Sequence, residues 1–169
     1  VYKRQVDVSG SQHFGTHEQF KDELVAEICA TLSISAIRNN DKVGLICFSD
    51  RIEAYIPPRK GSKHVLRVIR ELLALEPEGS GTDIGSALEF LNKVQKKRSI
   101  VFLVSDMQDR DWQRPLQIAN KRHDIVAVRT DDEAEHALPN VGLMRIVDPE
   151  TSQTHLIDTA SKKVRIAWK

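Results

Sequence analysis

Short apolar runs alternate along this chain with longer segments of helical periodicity. Residues 43–48, 100–104 and 125–128 are continuous apolar runs, typical of parallel strands covered on both faces. In four other segments apolar residues recur every three or four positions, which is typical of helices with one buried face. These predicted helices span 18–38, 62–75 with Ser62 as N-cap, 83–96, and 111–122 with Pro115 in its first turns.

Two segments break this alternation and predict β-hairpins. RIEAYI at 51–56 alternates strictly and stops at Pro57 and Pro58, which predicts a short antiparallel edge strand. Farther along, LMRIVD and THLID flank the turn sequence DPETSQ, and residues 159–169 predict the first turns of a helix that the chain cuts short. The predicted fold class is α/β, with a doubly wound, mostly parallel sheet, one antiparallel edge strand and helices on both faces.

The first strand does not fit this pattern. A strand that leads into a central loop of such a sheet should be apolar, yet VYKRQ is largely polar, and its burial would leave charges without partners. The pentapeptide is similar to translated adapter sequence, so we expect residues 1–5 to be non-native and start functional reasoning near Asp7. We expect residues 1–169 to form a single domain that is a fragment of a longer chain.

Composition narrows the functional classes. The 25 Lys and Arg nearly balance the 24 Asp and Glu, so we expect neither nucleic acid nor an anionic membrane as a partner of this segment. Cys29 and Cys47 lack the spacing of a metal clip and are expected to be buried, reduced thiols. No apolar run approaches the ~20 residues of a membrane span. We expect a cytoplasmic domain, with membrane association left open for the parent chain.

The stretch DVSGSQHFG, at 7–15, is the first candidate for chemistry. Its glycine spacing suits a phosphate-binding loop, but Thr16 stands where the lysine should be, and the glycine order of a dinucleotide site is missing. A phosphatase with Asp7 as nucleophile stays open, although Ser9 occupies the position where such enzymes carry a second acid. A serine nucleophile would need a strained elbow and a base, and neither is visible.

The same residues supply oxygen ligands for a hard divalent cation. Mg²⁺ takes an octahedron of oxygens, and one loop with a carboxylate and two hydroxyls can furnish part of it. GSGTDIG places a threonine on a turn before a helix, and LVSDMQD places an aspartate just past an apolar strand. Because ligands gather at the carboxyl ends of the strands in an open parallel sheet, we expect these segments to converge. The candidate metal ligands are Asp7, Ser9, Ser11, Thr82 and Asp106.

The order of these motifs carries a family resemblance. D-x-S-x-S, then G-T-D, then S-D after an apolar strand resembles the metal-ion-dependent adhesion site (MIDAS) of von Willebrand factor type A domains. NNDKVGLICFSDRIEAYIPPRKG, HDIVAV and the DPET hairpin extend the likeness to a bacterial family, domain of unknown function fifty-eight. Members of that family are often found with MoxR-type AAA+ ATPases. The resemblance covers the chain from Asp7 to its C-terminus.

The resemblance implies a role for each ligand. Ser9 and Ser11 would bind Mg²⁺ (or Mn²⁺) directly, and Thr82 would bind it directly or through water. Asp7 and Asp106 would hold coordinated waters or approach the metal themselves. The sixth position would take a Glu or Asp from a protein partner, with a MoxR-type AAA+ ATPase as the expected partner.

The implied function is non-enzymatic, Mg²⁺-dependent protein binding of the adhesion type, in complex assembly or maturation. Two alternatives stay open on the residues alone. One is a metal-dependent phosphohydrolase that uses Asp7, and the other is a structural domain with a vestigial metal site.

Other polar residues near these motifs have more ordinary explanations. Asp83 precedes a predicted helix and is expected to be its N-cap. His13 and His17 lie four residues apart, but without a third nitrogen ligand we expect them to be surface residues and not a soft-metal site. Asp109 and Asp111 are expected to form a negative rim or to cap the helix that follows them.

Overall fold

The secondary structure follows the predicted alternation of strands and helices. The computed structural model describes residues 2–7, 21–79, 81–131, 138–147 and 154–168. The elements in chain order are β1 Tyr2–Asp7, α1 Lys21–Arg38, β2 Val43–Phe48, β3 Ile52–Arg59, α2 Ser62–Leu73, α3 Ile84–Val94, β4 Ile100–Ser105, α4 Gln113–Arg122, β5 Asp124–Arg129, β6 Leu143–Val147, β7 Thr154–Asp158 and α5 Lys162–Ala167.

Five strands form one sheet in the order β3-β2-β1-β4-β5. β1 runs parallel to both of its neighbours, and β4 runs parallel to β5. β3 is antiparallel to β2 and lies at one edge. Because β2 and β4 flank β1 on opposite sides, the order of the strands reverses at β1, which creates a switch point between β1 and β4.

The predicted fold class needs a correction, because the strands do not form one sheet. β6 and β7 pair with each other as a separate two-stranded antiparallel sheet, with Leu143 opposite Asp158 and Val147 opposite Thr154. A single doubly wound, mostly parallel sheet with one antiparallel edge strand is therefore the wrong description of this chain. The physical reason is local: consecutive strands joined by a short connection satisfy each other's backbone hydrogen bonds and need not extend an existing sheet.

The polar first strand lies in the middle of the larger sheet. It includes residues 2–5 of the segment predicted to be non-native, and it pairs with β2 and with β4. The backbone of β1 therefore positions Asp7, its last residue, at the edge of the sheet where the strands end. The non-native origin of residues 1–5, and the single-domain fragment, stay predictions.

The four long helices are present, with ends that differ from the predicted ones. The second helix ends at Leu73 and the third at Val94, each two residues earlier than predicted. Ser62 was predicted as the N-cap of α2, which is wrong: Gly61 is the N-cap, with φ 99°, and no side-chain hydrogen bond caps this helix. No helix in the described ranges is long and apolar enough to cross a membrane.

The β2–β3 hairpin is confirmed, but its second strand is longer than predicted. Pro57 and Pro58 were expected to end it, whereas β3 continues through both to Arg59. An edge strand tolerates proline because the missing N–H can lie on the side without a partner. Gly44 on β2 permits the close approach, since a Cβ there would lie 2.9 Å from the carbonyl oxygen of Ile56.

Apolar side chains fill both faces of the larger sheet. One cluster joins β2 to α1 and α2, with Val25, Leu45 and Val68 at its centre. The other joins the opposite face to α3 and α4 through residues such as Phe48 and Leu88. Each sheet face is therefore anchored to a helical layer, which holds the strand ends in place.

Both cysteines lie in the first cluster. Cys29 and Cys47 are buried thiols, as predicted. Burial is the main cause that raises the pKa of the Cys47 thiol, with Cys29 and Glu53 adding to it. The thiols therefore act as small apolar side chains of the core.

Candidate metal site

The carboxyl ends of β1, β2 and β4 meet at one edge of the larger sheet. Asp7, the last residue of β1, lies opposite Phe48 at the end of β2. Val6 lies opposite Val104 on β4, so the turn after β4 begins beside Asp7. This edge includes the β1–β4 switch point, where open α/β sheets usually bind ligands.

Asp106 is held in the tight turn that follows β4. Its side chain is 2% exposed, and its Oδ1 accepts a hydrogen bond from the backbone N–H of Gln108 at 3.0 Å. The preceding Ser105 is buried, and its hydroxyl accepts from the N–H of Met107 at 3.1 Å. The turn therefore fixes the direction of the Asp106 carboxylate.

The second oxygen of that carboxylate is unusual. Within the described part of the chain, the buried Oδ2 of Asp106 has no hydrogen-bond partner. A buried polar atom without a partner costs about 1–3 kcal/mol, and more when it is charged. Such atoms are rare in folded proteins and call for an explanation, of which an ion is one. The chemistry of this oxygen fits a divalent cation.

The loop that carries Thr82 is tied to both neighbouring segments. The N–H of Asp83 donates to the carbonyl oxygen of Ser49, just past β2, at 2.8 Å. The N–H of Ile84 donates to Oδ2 of Asp109, in the turn after β4, at 2.8 Å. Thr82, next to Asp83 in the chain, is half-buried. The structure thus brings the backbones of the Thr82 loop, the end of β1 and the Asp106 turn to one edge.

Two aspartates near Thr82 and Asp106 accept hydrogen bonds from the first turn of α3. Asp83 is its N-cap, as predicted, because its carboxylate accepts from the N–H of Ser86 at 2.7 Å and from the Ser86 hydroxyl at 2.6 Å. Asp109 was expected to cap the helix that follows it or to form a rim, but it accepts from the first turn of α3, which precedes it in sequence. That contact spans 25 residues and cannot be recognised from local spacing.

Some predicted site residues lie outside the described residues. These are Ser9 and Ser11, together with His13 and His17, while Asp7 is described only through its backbone. No group of three or more His, Cys, Asp or Glu side chains that could hold a metal occurs among the residues that the structure describes.

Sequence reasoning missed Glu53, which connects β3 to the Thr82 loop. Its carboxylate accepts from the Ser49 hydroxyl at 2.5 Å, from the N–H of Gly79 at 2.8 Å and from the N–H of Glu78 at 3.3 Å. Burial alone would raise the pKa of Glu53. The three hydrogen bonds and the charge of Arg51 outweigh burial and lower that pKa. The one available signal was an acid within the alternating strand RIEAYI.

Comparison with known proteins identifies a family whose model matches this chain and solved structures with a similar fold. The family model described as Protein of unknown function DUF58 matches residues 4–169. An uncharacterized protein of Mycobacterium tuberculosis is 26% identical over 149 residues, which are 86% of this chain and 47% of that protein. The chain therefore spans about half the length of the curated relatives it matches.

Two solved structures share the fold at low identity. An aerotolerance-related membrane protein from Bacteroides fragilis aligns with a TM-score of 0.71 at 14% identity, over 99% of this chain and 83% of that one. The conserved hypothetical protein BatB from Bacteroides thetaiotaomicron aligns with a TM-score of 0.64 at 14% identity, over 98% of this chain and 82% of that one. At such identity the likeness concerns the arrangement of elements alone.

Proposed function

The chain belongs to the family Protein of unknown function DUF58, and from this premise we propose that it is a non-enzymatic, Mg²⁺-dependent protein-binding domain of the adhesion type. The observation that carries the proposal is the buried Oδ2 of Asp106, which has no hydrogen-bond partner among the described residues. It lies in the turn after β4, next to the switch point. A cation would compensate this oxygen, because Mg²⁺ takes carboxylate oxygens as ligands.

The proposed ligands are the ones that the MIDAS resemblance implies. They are Asp7, Ser9, Ser11, Thr82 and Asp106. When bound, Mg²⁺ would supply a positive charge that is only partly neutralised, because hydroxyls contribute no charge of their own. The N–H groups of Asp83 and Ile84 fasten the backbone beside Thr82, and the N–H of Gln108 donates to the Asp106 carboxylate. A site of this composition suits an incoming Glu or Asp of a protein partner.

The partner and the cellular setting belong to the same proposal. The resemblance to the MoxR-associated family supports a MoxR-type AAA+ ATPase as the protein that supplies the carboxylate. A cytoplasmic domain is compatible with such a partner. The solved structure from Bacteroides fragilis is described as a membrane protein, which supports a parent chain associated with a membrane.

The test is capture of the MoxR-type partner by the immobilised protein. We expect retention with Mg²⁺ and loss in EDTA, and we expect Thr82→Ala and Asp106→Ala to lose retention even with Mg²⁺. Asp111→Asn is the control, because this exposed acid lies near the same turn, is not a proposed ligand, and has a φ of 61° that asparagine tolerates. Equal retention with and without EDTA would contradict metal-mediated binding. A separate assay tests the phosphohydrolase: it would be favoured if the protein hydrolysed p-nitrophenyl phosphate in a metal-dependent way and Asp7→Asn lost this activity.

A further inference from the structure

The β2–β3 turn and the loop before α3 form one hydrogen-bonded unit. We propose that Glu53 is a positioning residue for the cation site: through this unit it holds the loop that carries Thr82. The inference rests on the proposed function, since it assigns a second layer of residues to the same site. Glu53 lies on β3 and is not a proposed ligand, so its effect would pass through the backbone of the loop.

The loop is fastened at two points on either side of Thr82. On one side, a carboxylate oxygen of Glu53 accepts from the N–H of Gly79 at 2.8 Å. On the other, the carbonyl oxygen of Ser49 accepts from the N–H of Asp83 at 2.8 Å. Only five residues, 79–83, span these two anchors. Because both anchors lie on the same hairpin, the position of Thr82 depends on the hairpin.

Glu53 also orders the hairpin itself. The Ser49 hydroxyl donates to the same Glu53 oxygen that accepts from Gly79, and Ser49 is fully buried. The second oxygen of Glu53 accepts from the N–H of Glu78 at 3.3 Å. The hydrogen bonds lower the pKa of Glu53, which means that they favour the ionised carboxylate, the stronger acceptor. One side chain therefore connects both anchors.

The packing at Gly79 shows how closely the loop approaches the hairpin. A Cβ at this position would lie 2.1 Å from Oδ1 of Asp50 and 2.2 Å from the hydroxyl oxygen of Ser49. Among the described residues, a Cβ on Gly81 would meet the Cβ of Asp50 at 3.6 Å, which is ordinary contact. Any side chain at position 79 would therefore push the loop away from Glu53, whereas one at position 81 has room.

The test compares Glu53→Gln with Asp50→Asn. Both remove one negative charge from the same hairpin, but among the described residues Glu53, and not Asp50, accepts from the amides of Glu78 and Gly79. We expect Glu53→Gln to weaken Mn²⁺ binding about tenfold, in the range seen for residues that orient metal ligands, because an amide presents one acceptor oxygen instead of two. We expect less than a threefold change in Asp50→Asn. Mn²⁺ binding is measured by electron paramagnetic resonance of the free ion.

A second readout needs no metal. In EDTA, hydrogen exchange at the amides of Glu78 and Gly79 should be slow in the wild type and in Asp50→Asn, and at least tenfold faster in Glu53→Gln. Gly79→Ala, compared with Gly81→Ala, repeats the test without touching the carboxylate if Glu53→Gln fails to fold. Mn²⁺ binding by Glu53→Gln at wild-type strength would overturn the positioning role alone. A wild type that binds no Mn²⁺ would overturn the cation site, and the positioning role with it.

Discussion

The buried carboxylate of Asp106 leads to a prediction in which a site substitution stabilises the metal-free protein. In Asp106→Asn the side-chain oxygen can keep its hydrogen bond from the N–H of Gln108, which is 3.0 Å long in the wild type. The substitution removes the negative charge that the wild type buries with one oxygen unpaired among the described residues. Without metal, we therefore expect the variant to be more stable than the wild type.

The size of this stabilisation follows from the difference between burying an unpaired carboxylate oxygen and burying a neutral amide. An unpaired buried polar atom costs about 1–3 kcal/mol, and more when charged, whereas the Asn amide retains only the neutral cost. We expect a net gain on the order of 1 kcal/mol, which raises Tm by about 2–4 °C for a domain of this size. Mg²⁺ at ten times its Kd should add about 1.4 kcal/mol to the wild type alone, which would remove or reverse the difference.

The assay is thermal unfolding of both proteins in EDTA and in a Mg²⁺ series. Asp111→Asn serves as the control, because Asp111 is exposed and its substitution should leave both the metal-free Tm and the Mg²⁺ response unchanged. Two results together would refute the reasoning: a lower Tm for Asp106→Asn in EDTA, and an equal rise with Mg²⁺ in variant and wild type. A lower Tm in EDTA would mean that the Asp106 charge is well compensated in the wild type. An equal rise with Mg²⁺ would mean that the cation binds elsewhere.

The remaining predictions concern the core and the hairpin. Leu88→Ala, at a site that is 0% exposed, should lower the unfolding free energy by about 2–5 kcal/mol in urea titrations, whereas Leu73→Ala, 67% exposed, should change it by less than about 0.5 kcal/mol. Since burial raises the pKa of Cys47, its alkylation by iodoacetamide at pH 8 should be slow until the protein unfolds, and a rapid reaction in the folded state would contradict this burial. Because the pKa of Glu53 is lowered in the folded state, its contribution to stability is present above the unfolded value of about 4.3 and is lost as pH falls through the lowered one. Unfolding free energies between pH 6 and 3 should therefore fall less steeply in Glu53→Gln than in the wild type.

Local pattern was sufficient for most of the elements. Continuous apolar runs identified β2, β4 and β5, and helical periodicity identified four helices. The predicted burial of β5 on both faces was wrong, because this strand lies at the sheet edge and Val126 is 43% exposed. Asp83 was recognised as an N-cap because its partner, Ser86, is only three residues away. The sequence also predicted that the ends of β1 and β4 share one sheet edge, because parallel strands place their carboxyl ends on the same side.

Only the tertiary structure decided how these elements combine. The sequence predicted both hairpins but did not reveal that β6 and β7 form a sheet of their own, because strand pairing depends on which edges meet in space. Tertiary packing also decided the burial of Asp106. It likewise decided the contact of Asp109 with α3 and the hydrogen bond that Gly79 donates to Glu53. Two of these are contacts between residues about 25 positions apart in the chain, so no local spacing encodes them. The sequence determined which residues are candidate oxygen ligands, and long-range packing determined that Oδ2 of Asp106 is buried without a hydrogen-bond partner among the described residues.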